Sequence, residues 1–415
     1  MSTANRSLLP NGAWRIVFLL FFVGCLNYLD RTMMATIRGS IMQAIPMSNA
    51  QFGLLSSAFL LSYGLVSPFT GYLSDRFNRS RVITISLIAW SILIFLTGYC
   101  RSVEQLVAAR LLLGIAEACY VPAAMALITD YHQGSTRPLA TGIQVSSFLV
   151  GQSLGFLPGM IVGSYSWSVP FYIFGSVGVA YGLVLIFFLR DRVDHDTRGK
   201  GLFKPEISFS AALKHLFTKS SYWLLLALWS ILYLVGWLVI VWVPALYQER
   251  FNLSQAVSGL YATAYIYPAS ILGVIFGGYL TSKWGKSNPA ATIYVPLIGL
   301  CIAVPCILIA TTSVNLTLTI TLFLIYGFTR IFSDGNIMPI LCLVTDPRYR
   351  ATGFGFLNLF ASLMGGLGLY LTGMLRDLHM EMASIFKIVA GVLGLCLFIL
   401  FFIHRQIGYS TEKVQ

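Results

Sequence analysis

Apolar runs of near-constant length recur along this chain, and no other feature restricts its fold so severely. A hydrocarbon layer of about 30 Å is crossed by a helix of about 20 residues, in which every backbone N–H and C=O must be satisfied within the element. Such runs lie at about 14–38, 50–72, 81–99, 103–127, 138–163 and 168–189, then at about 221–247, 256–281, 290–312, 316–344, 350–375 and 384–404. The expectation is an all-α membrane protein of twelve transmembrane helices in two pseudo-symmetric bundles. Residues 1–190 form an N-terminal six-helix bundle, 191–219 a cytoplasmic linker and 220–415 a C-terminal six-helix bundle. Composition agrees, since only 10% of residues are charged where a soluble domain carries about 25%.

The net charge of +12 bears on partners through its distribution. With both termini placed in the cytoplasm, nineteen of the 27 Lys and Arg fall on the cytoplasmic side. Arg38, Arg101, Arg250, Arg376 and Lys387 fall outside, and Arg31, Arg110 and Arg330 lie within spans. The positive-inside rule then sets the orientation, with a bacterial inner membrane as the expected location. The bilayer is the expected partner, with no nucleic acid and a monomeric chain. Basic residues before Ile16–Leu26 imitate a secretory signal, but the apolar run continues into Asn27-Tyr28-Leu29-Asp30-Arg31, so it is read as the first span. The Ser208–Lys219 stretch is expected to form a short interfacial helix.

Enzyme chemistry has no foothold in this pattern. The seven cysteines lack CxxC spacing, the five histidines (His132, His195, His215, His379, His404) sit near or beyond span ends, and no nucleotide loop or nucleophile motif occurs. No metal and no cofactor are expected, apart from a proton as coupling ion.

The halves carry matching residues in the same order. Gly71-x-x-x-Asp75-Arg76 matches Gly278-x-x-x-Ser282-Lys283, Thr129-Asp130 matches Thr345-Asp346, Ala140-Thr141-Gly142 matches Ala351-Thr352-Gly353, and Arg110 matches Arg330. A duplicated six-helix unit explains this. The segment Gly71-Tyr-Leu-Ser-Asp75-Arg76-Phe-Asn78-Arg79-Ser-Arg81 resembles the signature loop of the major facilitator superfamily, and Arg110-x-x-x-Gly114 resembles that family's span-four pattern. The resemblance implies a transporter whose loop motif, here Gly71, Asp75, Arg76 and Arg79, latches the cytoplasmic side. Asn27-Tyr28-x-Asp30-Arg31 with Arg110 and Glu117 resembles the anion:cation symporter branch and also the Spinster-type lipid carriers. In the symporter branch, the resemblance makes Asp30 and Glu117 the proton-coupling acids, and Arg31 and Arg110 the holders of the substrate's anionic group.

Independently of any family, a charge at membrane depth costs roughly 2.5–3.5 kcal/mol on insertion scales and so faces water or a partner. Six qualify: Asp30, Arg31, Arg110, Glu117, Arg330 and Asp334. The spacings place Arg110 with Glu117, and Arg330 with Asp334, on one helical face, so each span is expected to carry its own ion pair. Protonating Asp30 and Glu117 leaves the set at plus two, which attracts an anion, and a bound anion reciprocally favours the protons.

Tyr28, Gln152 and Asn358 are further candidates for reading substrate polarity. Asn27, Gln144, Tyr233, Trp237, Tyr261, Tyr265, Arg330, Asp334 and Asn336 are cavity candidates. Gly236 and Pro268 mark expected helix breaks, and the glycines of spans five and eleven mark close helix approach. The expected function is alternating-access, proton-coupled symport of a small organic anion such as a sugar acid. The alternative is a Spinster-like or drug-like proton-coupled exporter of amphipathic molecules or lysolipids. A non-transporting sensor would bind ligand without flux.

Overall fold

Spans 1 to 6 are Ala13–Thr36, Asn49–Thr70, Arg79–Thr97, Val103–Tyr131, Leu139–Val162 and Val169–Phe188. Spans 7 to 12 are Ser220–Phe251, Gln255–Gly285, Ala291–Thr312, Leu316–Val344, Thr352–Asp377 and Met382–Gln406. The computed structural model describes residues 12–132, 136–191, 209–288, 290–346 and 349–412, the side chains of 71–76, 138, 209–212, 351 and 407–412 apart. The side chains of Gly71, Asp75 and Arg76 therefore lie outside the described residues, as do linker positions 192–208. Beyond the linker, Phe209–Phe217 forms the short helix expected before span 7.

Three interruptions of regular winding coincide with prolines, whose missing N–H leaves the carbonyl four residues earlier without its helical partner, while Pro68, Pro244, Pro296, Pro305 and Pro339 are carried within unbroken helices. Pro122 releases Ala118, and span 4 divides there into Val103–Ala118 and Tyr120–Tyr131. Pro158 releases Leu154, where span 5 passes through a 3-10 turn at Leu154–Phe156. Pro268 releases Ala264, inside a π turn at Tyr261–Tyr265 in span 8. The break expected at Gly236 does not occur: span 7 is one helix from Ser220 to Phe251. Glycine weakens a helix but keeps its N–H, so the ladder survives.

Helix pairing repeats between the halves, as duplication requires. Spans 1 and 5, 2 and 4, and 3 and 6 pack in the first half, and spans 7 and 11, 8 and 10, and 9 and 12 in the second. The halves meet through spans 2 and 11 and through spans 5 and 8. Glycine makes the approach close. A Cβ on Gly373 would lie 2.3 Å from the Asn49 carbonyl, and one on Gly151 would lie 2.3 Å from the Cys25 carbonyl.

The face away from the termini, called distal here, is joined across the halves by hydrogen bonds. Asp377 Oδ1 accepts from Asn49 N at 2.8 Å and from Asn49 Nδ2 at 2.9 Å, and its Oδ2 accepts from Ala50 N at 2.8 Å. A carboxylate thus caps the positive end of span 2. Ser40 N donates to Gln255 Oε1 at 3.0 Å, and Ser57 Oγ donates to the Gly366 carbonyl deeper in. Arg38 donates to Asn49 Oδ1 and lies 5.1 Å from the Trp242 ring. Burial, opposed by Glu249 and Asp377, draws the Arg38 pKa down.

Candidate functional site

Span 1 runs from the terminal face with most of its length covered, its exposed side carrying Trp14, Phe18 and Phe22, and it presents polar residues inward at Asn27, Asp30 and Arg31. Span 4 crosses behind it and brings Arg110 and Glu117, the latter beside the division at Ala118. All five side chains are buried, with Asn27 and Glu117 wholly so. Arg31 Nε donates to Glu117 Oε2 at 2.9 Å. Asp30 lies within electrostatic reach of Glu117, Arg110 and Arg31. Four charges of formal sum zero therefore share one buried cluster, the arrangement that makes a buried charge tolerable.

The expected Arg110–Glu117 pair within span 4 is replaced by the Arg31–Glu117 pair between spans. Seven residues amount to about 10.5 Å of helical rise, whereas the guanidinium of Arg31 enters from the side at bonding distance. Arg110 faces Glu117 and Asp30 electrostatically, with burial opposing its charge, and the direct bond to Glu117 comes from Arg31 instead. The carboxylate of Asp30 faces the Trp90 indole, and its Oδ1 has no partner. Buried polar atoms converge here: Asn27 lies beside Glu117 and Trp90 beside Asp30, and Asp30 Oδ1 and Glu117 Oε1 are left without a partner. A protein interior seldom tolerates such a cluster unless it serves binding or proton movement.

Aromatic faces close around the Arg31 guanidinium. Its carbon lies 4.5 Å from the Tyr28 ring centroid, 4.8 Å from Tyr63 and 5.2 Å from Phe59. Each contact adds about 0.5–2 kcal/mol of cation–π attraction, and together they hold the fork rigid. Tyr233 of span 7 also lies within electrostatic reach of Arg31. From the cage an aromatic strip continues across the halves. Phe59 and Trp237 centroids are 6.2 Å apart, Trp237 and Tyr233 6.2 Å, and Tyr233 and Trp229 6.1 Å. Trp229 Nε1 then donates to Asn358 Oδ1 at 3.2 Å. The three residues of span 7 extend over about 12 Å of helix.

Other candidates lie elsewhere. Gln144 Nε2 donates to Tyr120 Oη at 2.8 Å and to the Leu20 carbonyl at 3.3 Å, which ties spans 1, 4 and 5 together. Asn336 Nδ2 donates to the Phe332 carbonyl of its own helix at 2.8 Å. Gln152 is buried at the end of the first segment of span 5. Tyr261 packs edge-on against Tyr265 within the π turn, with Tyr265 40% exposed. Arg330 and Asp334 pair at 2.8 Å as their spacing implies. At the terminal face Arg79 pairs with Asp130 and donates to the Ala126 carbonyl, while Asp191 accepts from Arg79 N and Ser80 N.

Phe59, Tyr63, Trp90 and Trp229 were not among the sequence candidates. Phe59 and Tyr63 stand four apart on one face of span 2, the spacing that marked Tyr233 and Trp237. Among the described residues no cluster of three or more His, Cys, Asp or Glu is arranged to hold a metal ion.

Comparison with known proteins points one way. The model of the Major Facilitator Superfamily matches residues 20–369. Spinster homolog 3 of Danio rerio is 27% identical over 399 residues, covering 90% of this chain and 78% of that protein. The sphingosine-1-phosphate transporter SPNS2 of Mus musculus is 29% identical over 380 residues, covering 85% and 68%. A crystal structure of a bacterial homolog of the human lysosomal transporter Spinster, inward-facing and occupied, superposes with a TM-score of 0.78 at 23% identity, covering 94% of this chain and 97% of that one. Its inward-facing, unoccupied counterpart gives 0.76 at 22% identity, covering 97% and 98%.

Proposed function

The chain belongs to the Major Facilitator Superfamily, whose members are transporters rather than enzymes, and from that premise we propose that it is a Spinster-type, proton-coupled carrier of lipid-like anions. The carrying observation is the aromatic strip that begins at the Arg31 cage. A guanidinium fixed among rings suits an oxyanion headgroup, and a strip of about 12 Å of span 7 suits the first part of a hydrocarbon tail. One ring would serve a sugar face equally well, but a strip longer than a single sugar favours the amphipathic substrate over the small hydrophilic anion as cargo. The whole-length similarity to spinster homologs and to SPNS2 supports the same choice.

In this reading Asp30 is the proton acceptor. Its carboxylate is buried, faces Glu117 as well as the two arginines, and takes no hydrogen bond from either arginine, so its charge has weaker support than that of Glu117, which Arg31 holds directly. Protonation of Asp30 removes one of the two counter-charges that face Arg110, the other being Glu117, which Arg31 already holds, and readies Arg110 for the headgroup. The nineteen basic residues assigned to the terminal side make that side cytoplasmic. The distal hydrogen bonds then close the outer side, and the conformation is inward-facing.

Reconstitution tests this directly. Purified protein in liposomes is offered tritiated sphingosine 1-phosphate, a lysophospholipid or gluconate, with and without a pH gradient. The expected result is gradient-driven movement of a lipid anion, with Asp30→Asn abolishing uphill transport while exchange persists. Accumulation of gluconate alone would restore the small-anion reading, and binding without flux would indicate a sensor.

A further inference from the structure

Arg330 and Asp334 lie near the middle of span 10, in the half opposite the Arg31 pocket. Arg330 occupies the position that matches Arg110 in the duplicated unit, and Asp334 stands where the first half has Gly114. Arg330 Nη1 donates to Asp334 Oδ2 at 2.8 Å, and its Nη2 donates to the Leu232 carbonyl of span 7 at 2.6 Å. Gly236, one turn further on, gives the guanidinium room: a Cβ there would stand 3.2 Å from Nη2.

Two observations set this pair apart from a helix-holding contact. The first is exposure, 13% and 25% for the two side chains, against 3% and 0% for Arg31 and Glu117. Charges at this depth that have free surface must border water, because lipid contact would cost several kcal/mol. The second is unfilled bonding capacity. Asp334 Oδ1, Arg330 Nε, Tyr326 Oη and Ser333 Oγ are all buried without a partner. The other titratable groups facing the pair are Tyr326 on span 10, Tyr267 on span 8 and Cys396 on span 12.

We infer that Arg330 and Asp334 form a second proton-gated anion site, in which Asp334 takes a proton from the water-filled opening and Arg330 Nη1, freed from it, binds an oxyanion of the substrate. When empty, the two residues neutralise each other on one helix. When loaded, the proton sits on Asp334 and the substrate supplies the negative charge. The inference rests on the transport reading for its use, but the titration of Asp334 stands apart from it. Each half then contributes an arginine and an acid, so that two protons, at Asp30 and Asp334, accompany a loaded carrier.

Two measurements decide the matter. Binding of sphingosine 1-phosphate, or of gluconate as the carboxylate alternative, is followed through the fluorescence of Trp229 and Trp237. Arg330→Gln should weaken binding roughly tenfold or more, the worth of a hydrogen bond to a charged group. Arg330→Lys should recover most of it, and Asp334→Asn should flatten part of the pH dependence that remains in Asp30→Asn. Wild-type affinity in Arg330→Gln, or unaltered pH dependence in Asp334→Asn, would overturn the inference.

Infrared difference spectra on acidification need no ligand. Asp334→Asn should lose one protonated-carboxyl band that Asp30→Asn retains, and Asp334→Glu should shift it. An unchanged set of bands overturns the inference even where neither probe binds. If Asp30→Asn alone alters binding and spectra, the transport reading survives and the second site does not.

Discussion

The two ion pairs at membrane depth differ in how much of the fold each needs in order to exist. Arg330 and Asp334 sit four apart on one helix and would meet in any arrangement of the bundle. Arg31 and Glu117 come from spans 1 and 4, and their 2.9 Å contact depends on helix placement, on the division at Ala118 and on the ring cage. A pair made within one helix can serve as a local switch. A pair made between helices reports, and resists, any change in how those helices sit.

This comparison predicts a ranked series. The largest effect belongs to Arg31→Gln, which strands Glu117 at 0% exposure and should cost about 3–5 kcal/mol. Reversible unfolding in detergent measures it, with Arg330→Gln as reference. If Arg330→Gln destabilises as much, the distinction between the pairs collapses. Next is Gly114→Ala, since a Cβ there would lie 2.5 Å from the Phe59 carbonyl and 2.2 Å from Ser62 Oγ. Overpacking of that kind costs about 1–3 kcal/mol. It should lower the melting temperature and, by pushing span 2 away, loosen the Phe59 and Tyr63 side of the cage.

The smallest effect is expected from Gly236→Ala, where the methyl meets the tip of a flexible guanidinium at 3.2 Å. Its stability should stay within about 0.5 kcal/mol of wild type. A loss as large as that of Gly114→Ala would mean that Arg330 is held as rigidly as Arg31. Such a result would sharpen the contrast into one of partners rather than of mobility.

Much of the architecture could be read from the chain because bilayer thickness imposes run length. Every observed span lies within a few residues of its expected range. The charges at depth were readable for the same reason, their cost making each one conspicuous. What could not be read was the partner of Glu117, since a single helix reveals spacing along itself but not the distance to its neighbour. Pro122 and Pro158 were as legible as Pro268, but a missing N–H alone does not mark a break, since Pro68, Pro244, Pro296, Pro305 and Pro339 stand inside helices that continue past them. Asp377 had no such signal, because capping a helix end 328 positions away in the chain is visible only once both ends are in place.

The π turn at Tyr261–Tyr265 has a consequence for how span 8 can act. It accommodates one residue more than regular winding does, and one residue corresponds to about 100° around a helix. The stretch below it, from Ile266 to Gly285, is therefore rotated by that angle relative to the register that Gln255–Leu260 alone would impose. Smoothing the turn away, or passing it along by a residue, would re-aim a whole face of the span without snapping its ladder. The helix carries a built-in swivel at the point where the two halves touch.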